Sequence, residues 1–94
     1  MIRLNVFFEV NEGVTPEQVK AATAEMVRDS RTQEGNVSYD LFASTSRERV
    51  YLFCETWRDQ KVLDAHGESK SFADGCANLK KLMKGEWKLE KFEF

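Results

Sequence analysis

An acid, an indole and an imidazole lie close together in one short stretch, and two of them could move a proton. The segment CETWRDQKVLDAH (residues 54–66) holds Glu55, Trp57 and His66, the only histidine of the chain. Imidazole, with an ordinary pKa of about 6.5, is the side chain best suited to accept a proton near neutral pH. A carboxylate within hydrogen-bond reach would hold the ring's tautomer and raise its basicity. An indole beside them would keep water away. Together they describe general-base chemistry on a weakly acidic hydroxyl. A plainer assignment stands next to it: a core histidine bonded to backbone or carboxylate, an acid that caps or pairs, and an indole that packs. Spacing alone leaves both open.

Other chemistries have less to stand on. Cys54 and Cys76 lack CxxC spacing, and one histidine cannot complete a usual zinc set, so no metal site is expected. Both cysteines sit in apolar patterns and read as small packed thiols, which suits a reducing cytoplasm. A Cys–His pair is neither shown nor excluded by the spacing. There is no GxGxxG, no phosphate-binding P-loop and no GxSxG elbow. The net charge of −2 and the even spread of Lys and Arg provide no basic stripe for nucleic acid. No apolar run approaches the roughly 20 residues of a membrane span. The opening MIRLNVFFEV alternates like a strand rather than reading as a signal peptide. One cytoplasmic domain without nucleic-acid or membrane partners is the expectation for 94 residues.

The elements that must position these side chains follow from periodicity. Residues 2–10 alternate, with Ile2, Leu4, Val6, Phe8 and Val10 on one face. Thr15, Pro16 and Gln18 compose a capping box ahead of a helix to about Arg31, whose apolar stripe is Val19, Ala22, Met26 and Val27. Residues 36–44 and 50–57 form an antiparallel hairpin across a polar loop. In the first of these strands Val37, Tyr39 and Leu41 point inward. In the second, Tyr51, Phe53, Glu55 and Trp57 share one face. Asp59 caps a short helix carrying Val62, Leu63 and His66 and ended by Gly67. A helix over about 70–84 with Phe72, Cys76, Leu79, Leu82 and Met83 inward is stopped by Gly85, and EWKLEKFEF is the last strand. The order is βαββαβ: an α+β, ferredoxin-like fold with a four-stranded antiparallel sheet. Residues 50–57 are apolar on both faces, so the face away from the helices should meet a second copy.

Two stretches, SRTQEGNVSYDL (30–41) and CETWRDQKVLDAHGESKSF (54–72), resemble the antibiotic biosynthesis monooxygenase domain family. The matching features are Glu34–Gly35 before a strand with Tyr39, then Glu55-x-Trp57, then a short helix with Leu63 ending at His66, then Ser69-x-x-Phe72. The resemblance implies a dimeric α/β barrel in which two sheets face each other. It also implies activity on quinols or polycyclic phenols with dioxygen, without flavin or metal. Other branches degrade haem or act on a phosphorylated signalling sugar. The haem branch has its ligating histidine where this chain has Cys76, and its catalytic Asn falls near Val6. Haem degradation is therefore not expected. Some phenol oxidisers carry an assisting Asn where this chain has Phe53.

The resulting expectation is a homodimeric, cofactor-independent monooxygenase for a quinol or polyphenol, with no metal, flavin or haem required. His66 is its base, with Glu55 and Tyr39 as orienting groups. Trp57, Phe72 and Phe53 contact the substrate ring, in a pocket between the sheet and the two later helices. Two alternatives belong to other classes: a proton-transfer enzyme or isomerase for a small sugar-like (phospho)compound, and a non-enzymatic binding or stress dimer.

Overall fold

Chain reversals and helix starts occur where side chains can satisfy free backbone groups. In the computed structural model, which describes residues 1–94, Thr15 accepts from the Gln18 amide while the Gln18 side chain returns to the Thr15 amide at 2.8 Å. This capping box opens α1 (Pro16–Thr32), which follows β1 (Ile2–Val10). The hairpin is β2 (Asn36–Ala43) and β3 (Val50–Trp57). Asp59 accepts from the Val62 amide at 3.0 Å and opens α2 (Gln60–Gly67). Ser69 does the same for Phe72 and opens α3 (Lys70–Lys80), and β4 (Met83–Glu93) closes the chain. Each cap of this kind stabilises its helix by about 0.5–2 kcal/mol relative to Ala.

The sheet is antiparallel throughout, in the order β2-β3-β1-β4. This is the ferredoxin-like α+β arrangement, with the second helical segment broken in two, so the full order is βαββααβ. The core forms between the helices and one sheet face, from Phe8 and Val10 of β1, Tyr39 of β2, Tyr51, Phe53 and Trp57 of β3, and Val19, Met26, Val62 and Leu79 of the helices. Gly75 of α3 lies hard against Met26 of α1: an added Cβ would meet its Sδ at 2.5 Å. The missing side chain lets the two helices approach.

Three local expectations change. The last helix stops at Lys80 rather than near residue 84, and Met83 already pairs with Val10. Gly85 is not a helix stop; it lies in β4 at φ +73°, near the register shift opposite Phe7–Glu9. Val37 is exposed rather than inward, because a bulge inserts it between the pairs Asn36–Trp57 and Ser38–Thr56. On α1, the fully covered positions are Val19, Thr23, Met26 and Ser30, with Ala22 half-buried. Thr23 tolerates burial because its hydroxyl donates to the Val19 carbonyl at 2.9 Å.

The opposite sheet face has no helix over it. Across three strands it carries Phe42, Leu52 and Phe7 side by side in register, with Phe92 exposed further along β4 beside Arg3. No helix is long and apolar enough to cross a membrane.

Candidate active site

Between the inner sheet face and α2 and α3 lies a cavity of about 240 Å³. Its sheet wall is Leu4 and Val6 of β1, Tyr39 of β2, Phe53 and Glu55 of β3, and Trp87 and Leu89 of β4. Leu63, His66, Phe72, Cys76 and Leu79 close the helical side, and Met26 of α1 reaches in. The lining is overwhelmingly apolar, with Glu55, His66, the Tyr39 hydroxyl and the Cys76 thiol as its polar chemistry. A wider surface groove of about 520 Å³ runs between α1 and β2, but its charged groups, Lys20, Arg28 and Arg31, sit at exposed positions.

Strand alternation and helical spacing bring the expected residues together. Glu55 pairs across the sheet with Leu4 on one side and Tyr39 on the other, which fixes all three on the inner face. The Asp59 cap sets the phase of α2, so that Val62 and His66, four residues apart, both turn to the core. Phe72 meets the His66 ring edge-on at 5.0 Å, and Tyr39 lies 5.5 Å from it. Ser69-x-x-Phe72 is thus a capped helix start that holds Phe72 against the histidine.

Trp57 differs from expectation. It is fully buried and lies outside the cavity lining, packed against His66 at 4.6 Å. Its indole N–H donates to Glu55 Oε1 at 2.8 Å. As the last residue of β3 it faces the base of α2, so it braces the acid and the imidazole from behind.

Glu55 and His66, whose contact the sequence left open, do not hydrogen-bond to each other. His66 Nδ1 lies 2.8 Å from the side-chain oxygen of Gln33, and His66 Nε2 is buried without a partner. Burial pushes His66 down to about 4, since nothing negative compensates the cost of charging a desolvated ring. Burial pushes Glu55 up to about 7, against the hydrogen bond from Trp57. Glu55, at 5% exposure, is therefore the group that changes charge near neutral pH; His66, at 3%, stays neutral. Tyr39 is driven far above its ordinary value by burial and by Glu55, so it remains a hydroxyl. Ser30 opposes that shift, although its own hydroxyl has no well-formed hydrogen bond.

Gln33 was not among the residues read from sequence, and neither were Trp87 and Leu89. The only sequence signal for Gln33 was its place before Glu34–Gly35. Gly35 has φ +79°, and a Cβ there would stand 2.6 Å from Val62 Cγ2. Only glycine lets this turn press against α2 and deliver Gln33 to the ring. Cys54 and Cys76 are both free, and no three His, Cys, Asp or Glu side chains converge as a metal set.

The family profile described as antibiotic biosynthesis monooxygenase matches residues 1–78. The chain belongs to this family. YcnE of Bacillus subtilis (strain 168) is 31% identical over 83 residues, covering 88% of this chain and 86% of YcnE. A solved structure from Bacteroides thetaiotaomicron, of a protein of unknown function, is 43% identical and superposes with a TM-score of 0.88, covering 99% and 96% of the two chains. SnoaB, a cofactor-independent oxygenase from Streptomyces nogalater, is 16% identical with a TM-score of 0.85, covering 99% and 91%, a likeness of fold. As an antibiotic biosynthesis monooxygenase family member, the chain presents its aromatic cavity with a near-neutral carboxyl and an uncharged imidazole at the wall.

Proposed function

We propose that the chain is a cofactor-independent monooxygenase for a small quinol or polyphenol, active as a homodimer. One observation carries the reading: an apolar, aromatic-lined cavity in which a carboxyl poised at about 7 shares the wall with a neutral histidine that has an unpartnered, buried nitrogen. A general base works best when its pKa lies near the operating pH. By that criterion Glu55, rather than His66, is the base, and His66 is a hydrogen-bond acceptor for the substrate. Trp57 holds Glu55, while Tyr39, Phe53 and Phe72 face the ring.

The chemistry needs little else. Glu55 removes a proton from a ring hydroxyl, and the resulting oxyanion gives one electron to dioxygen. Semiquinone and superoxide then combine through a new C–O bond. The hydroperoxide loses water, so quinol and dioxygen become hydroxyquinone and water. One oxygen atom enters the ring and the other leaves as water. The substrate supplies every electron, and no external reductant is consumed. Apolar walls favour recombination over escape of superoxide into solvent. An apolar cavity of about 150 Å³ accommodates benzene, so this one suits one or two fused rings. A sugar-like substrate would find few polar partners in such a lining.

The dimer reading rests on the uncovered sheet face. Phe42, Leu52 and Phe7 form a continuous apolar strip there, and a second copy of the same sheet would cover it. SnoaB, of the same fold, is a cofactor-independent oxygenase, which supports the reaction class. The test is oxygen uptake by the purified protein with a panel of mono- and bicyclic quinols. Uptake well above autoxidation, lost in Glu55→Gln, is the expected result. No enzyme-dependent uptake with any member of the panel overturns the proposal.

A further inference from the structure

His66 stands between two different environments. On one side its ring walls the apolar cavity. On the other it borders a polar surface cleft of about 300 Å³ formed by Gln33, Glu34, Arg58, Lys61, Val62 and Ala65. Gln33 lies in that cleft and meets Nδ1 at 2.8 Å through its amide oxygen. An oxygen can only accept, so Nδ1 carries the proton and Nε2 keeps its lone pair. Nε2 is buried and has no partner in the protein. A buried polar atom left this way costs stability unless a ligand supplies the missing bond.

The geometry points to Gln33 as a positioning residue: it holds His66 as the Nδ1–H tautomer, so that Nε2 accepts a hydrogen bond from a ligand hydroxyl in the cavity. The site then selects for donors. A phenol, enol or quinol satisfies Nε2, while a carbonyl or ether of the same shape leaves two acceptors opposed. This specificity deepens the oxygenase reading but does not require turnover.

The neutral amide matters as much as its position. A carboxylate at residue 33 would favour imidazolium, whose two N–H groups cannot accept from a hydroxyl. The carboxylate next in sequence, Glu34, is turned outward at 3.6 Å from Arg58. The charged or titratable groups around the ring are few. They are Glu34, Arg58 and Lys61 on the cleft side, and Glu55, Tyr39 and Cys76 on the cavity side. Glu55 is tied to Trp57, and no ion pair to the ring forms.

Because the chain has one histidine, its imidazole gives a single set of long-range proton–nitrogen NMR correlations. At pH 7 the full-length protein should show a protonated, pyrrole-type Nδ1 and a pyridine-type Nε2. Gln33→Leu removes the acceptor and should shift the population toward Nε2–H. Gln33→Lys offers only donors and should invert the tautomer. Gln33→Glu keeps an acceptor and should retain protonated Nδ1, but its charge should also raise the fraction with protonated Nε2 and so weaken naphthol binding. Binding is read in the same samples with 1-naphthol and its methyl ether. The parent should prefer naphthol. Gln33→Leu should weaken naphthol by about 3- to 10-fold, the worth of one hydrogen bond, and leave the ether unchanged. A parent spectrum with protonated Nε2, or a folded Gln33→Leu protein with an unchanged tautomer and unchanged naphthol preference, overturns the inference. Absence of oxygen uptake would overturn only the oxygenase reading, since neither measurement here involves turnover.

Discussion

Glu55 and His66 should pull stability in opposite directions as pH changes, and nearly cancel. Glu55 rises from 4.5 to about 7 on folding, so the folded state holds a proton that the unfolded chain has released. Its contribution is full below pH 4.5 and is lost as pH rises to about 7. His66 falls from 6.5 to about 4, so the unfolded chain binds a proton that the folded state refuses. Its contribution is full above pH 6.5 and is lost as pH falls to about 4. At about 1.4 kcal/mol per pH unit, each amounts to about 3 kcal/mol. Between pH 4.5 and 6.5 the two slopes offset each other, so these groups leave the parent's stability nearly flat there. Single variants unmask the slopes. His66→Gln should lose about 3 kcal/mol as pH rises from 4.5 to 7, and Glu55→Gln should gain about as much from pH 4 to 6.5. The assay is urea denaturation at half-unit pH intervals and fixed protein concentration, which keeps any dimer linkage constant. If both folded variants follow the parent's profile, burial does not shift these groups as argued, and the case for Glu55 as base goes with it.

Glu55→Gln should lower turnover of an accepted quinol by about 10²- to 10⁴-fold, the usual worth of a general base, with binding largely kept. Steady-state oxygen uptake decides this; activity within about threefold of the parent would remove Glu55 from the chemistry. Trp57→Ala should cost about 3–5 kcal/mol and also disturb Glu55, because both the packing and the 2.8 Å hydrogen bond are lost. Denaturation with a pH–rate profile separates the two effects. Gly35→Ala should destabilise by more than about 1 kcal/mol, since it strains φ +79° and collides with Val62; thermal melting at constant concentration checks it. Leu52→Glu, in the middle of the bare sheet face, should shift sedimentation from dimer toward monomer while the circular dichroism stays native. A parent that sediments as a 10.9 kDa monomer at micromolar concentration contradicts the proposed assembly.

Much of the architecture was legible because it depends on local rules. Alternation along residues 2–10, 36–44 and 50–57 assigns faces regardless of what covers them: it turned Tyr39 inward and kept Phe53 and Glu55 on one shared face, which the helices then cover. Thr15 and Asp59 announce helix starts by satisfying free amides within three residues, and helical spacing then turns His66 to the core. The motifs around Glu34–Gly35, Glu55-x-Trp57 and His66 pointed to the family that residues 1–78 match. Local rules were weaker where a strand broke its own period. The bulge that exposes Val37 answers to the register of β3, and the end of α3 answers to where Met83 can pair with Val10.

The site's electrostatics were not local at all. His66 and Gln33 are 33 positions apart, and their bond exists only because Gly35 lets a turn pack against α2. Glu55 was the natural partner for the histidine by composition, yet its oxygen is taken by Trp57, two residues on along the same strand face. Residue types gave each group its ordinary pKa. Burial, which only the assembled sheet and helices create, moved the carboxyl up to about 7 and the imidazole down to about 4. The sequence by itself determined which proton-handling groups would share the cavity; tertiary desolvation decided which of them works near neutral pH.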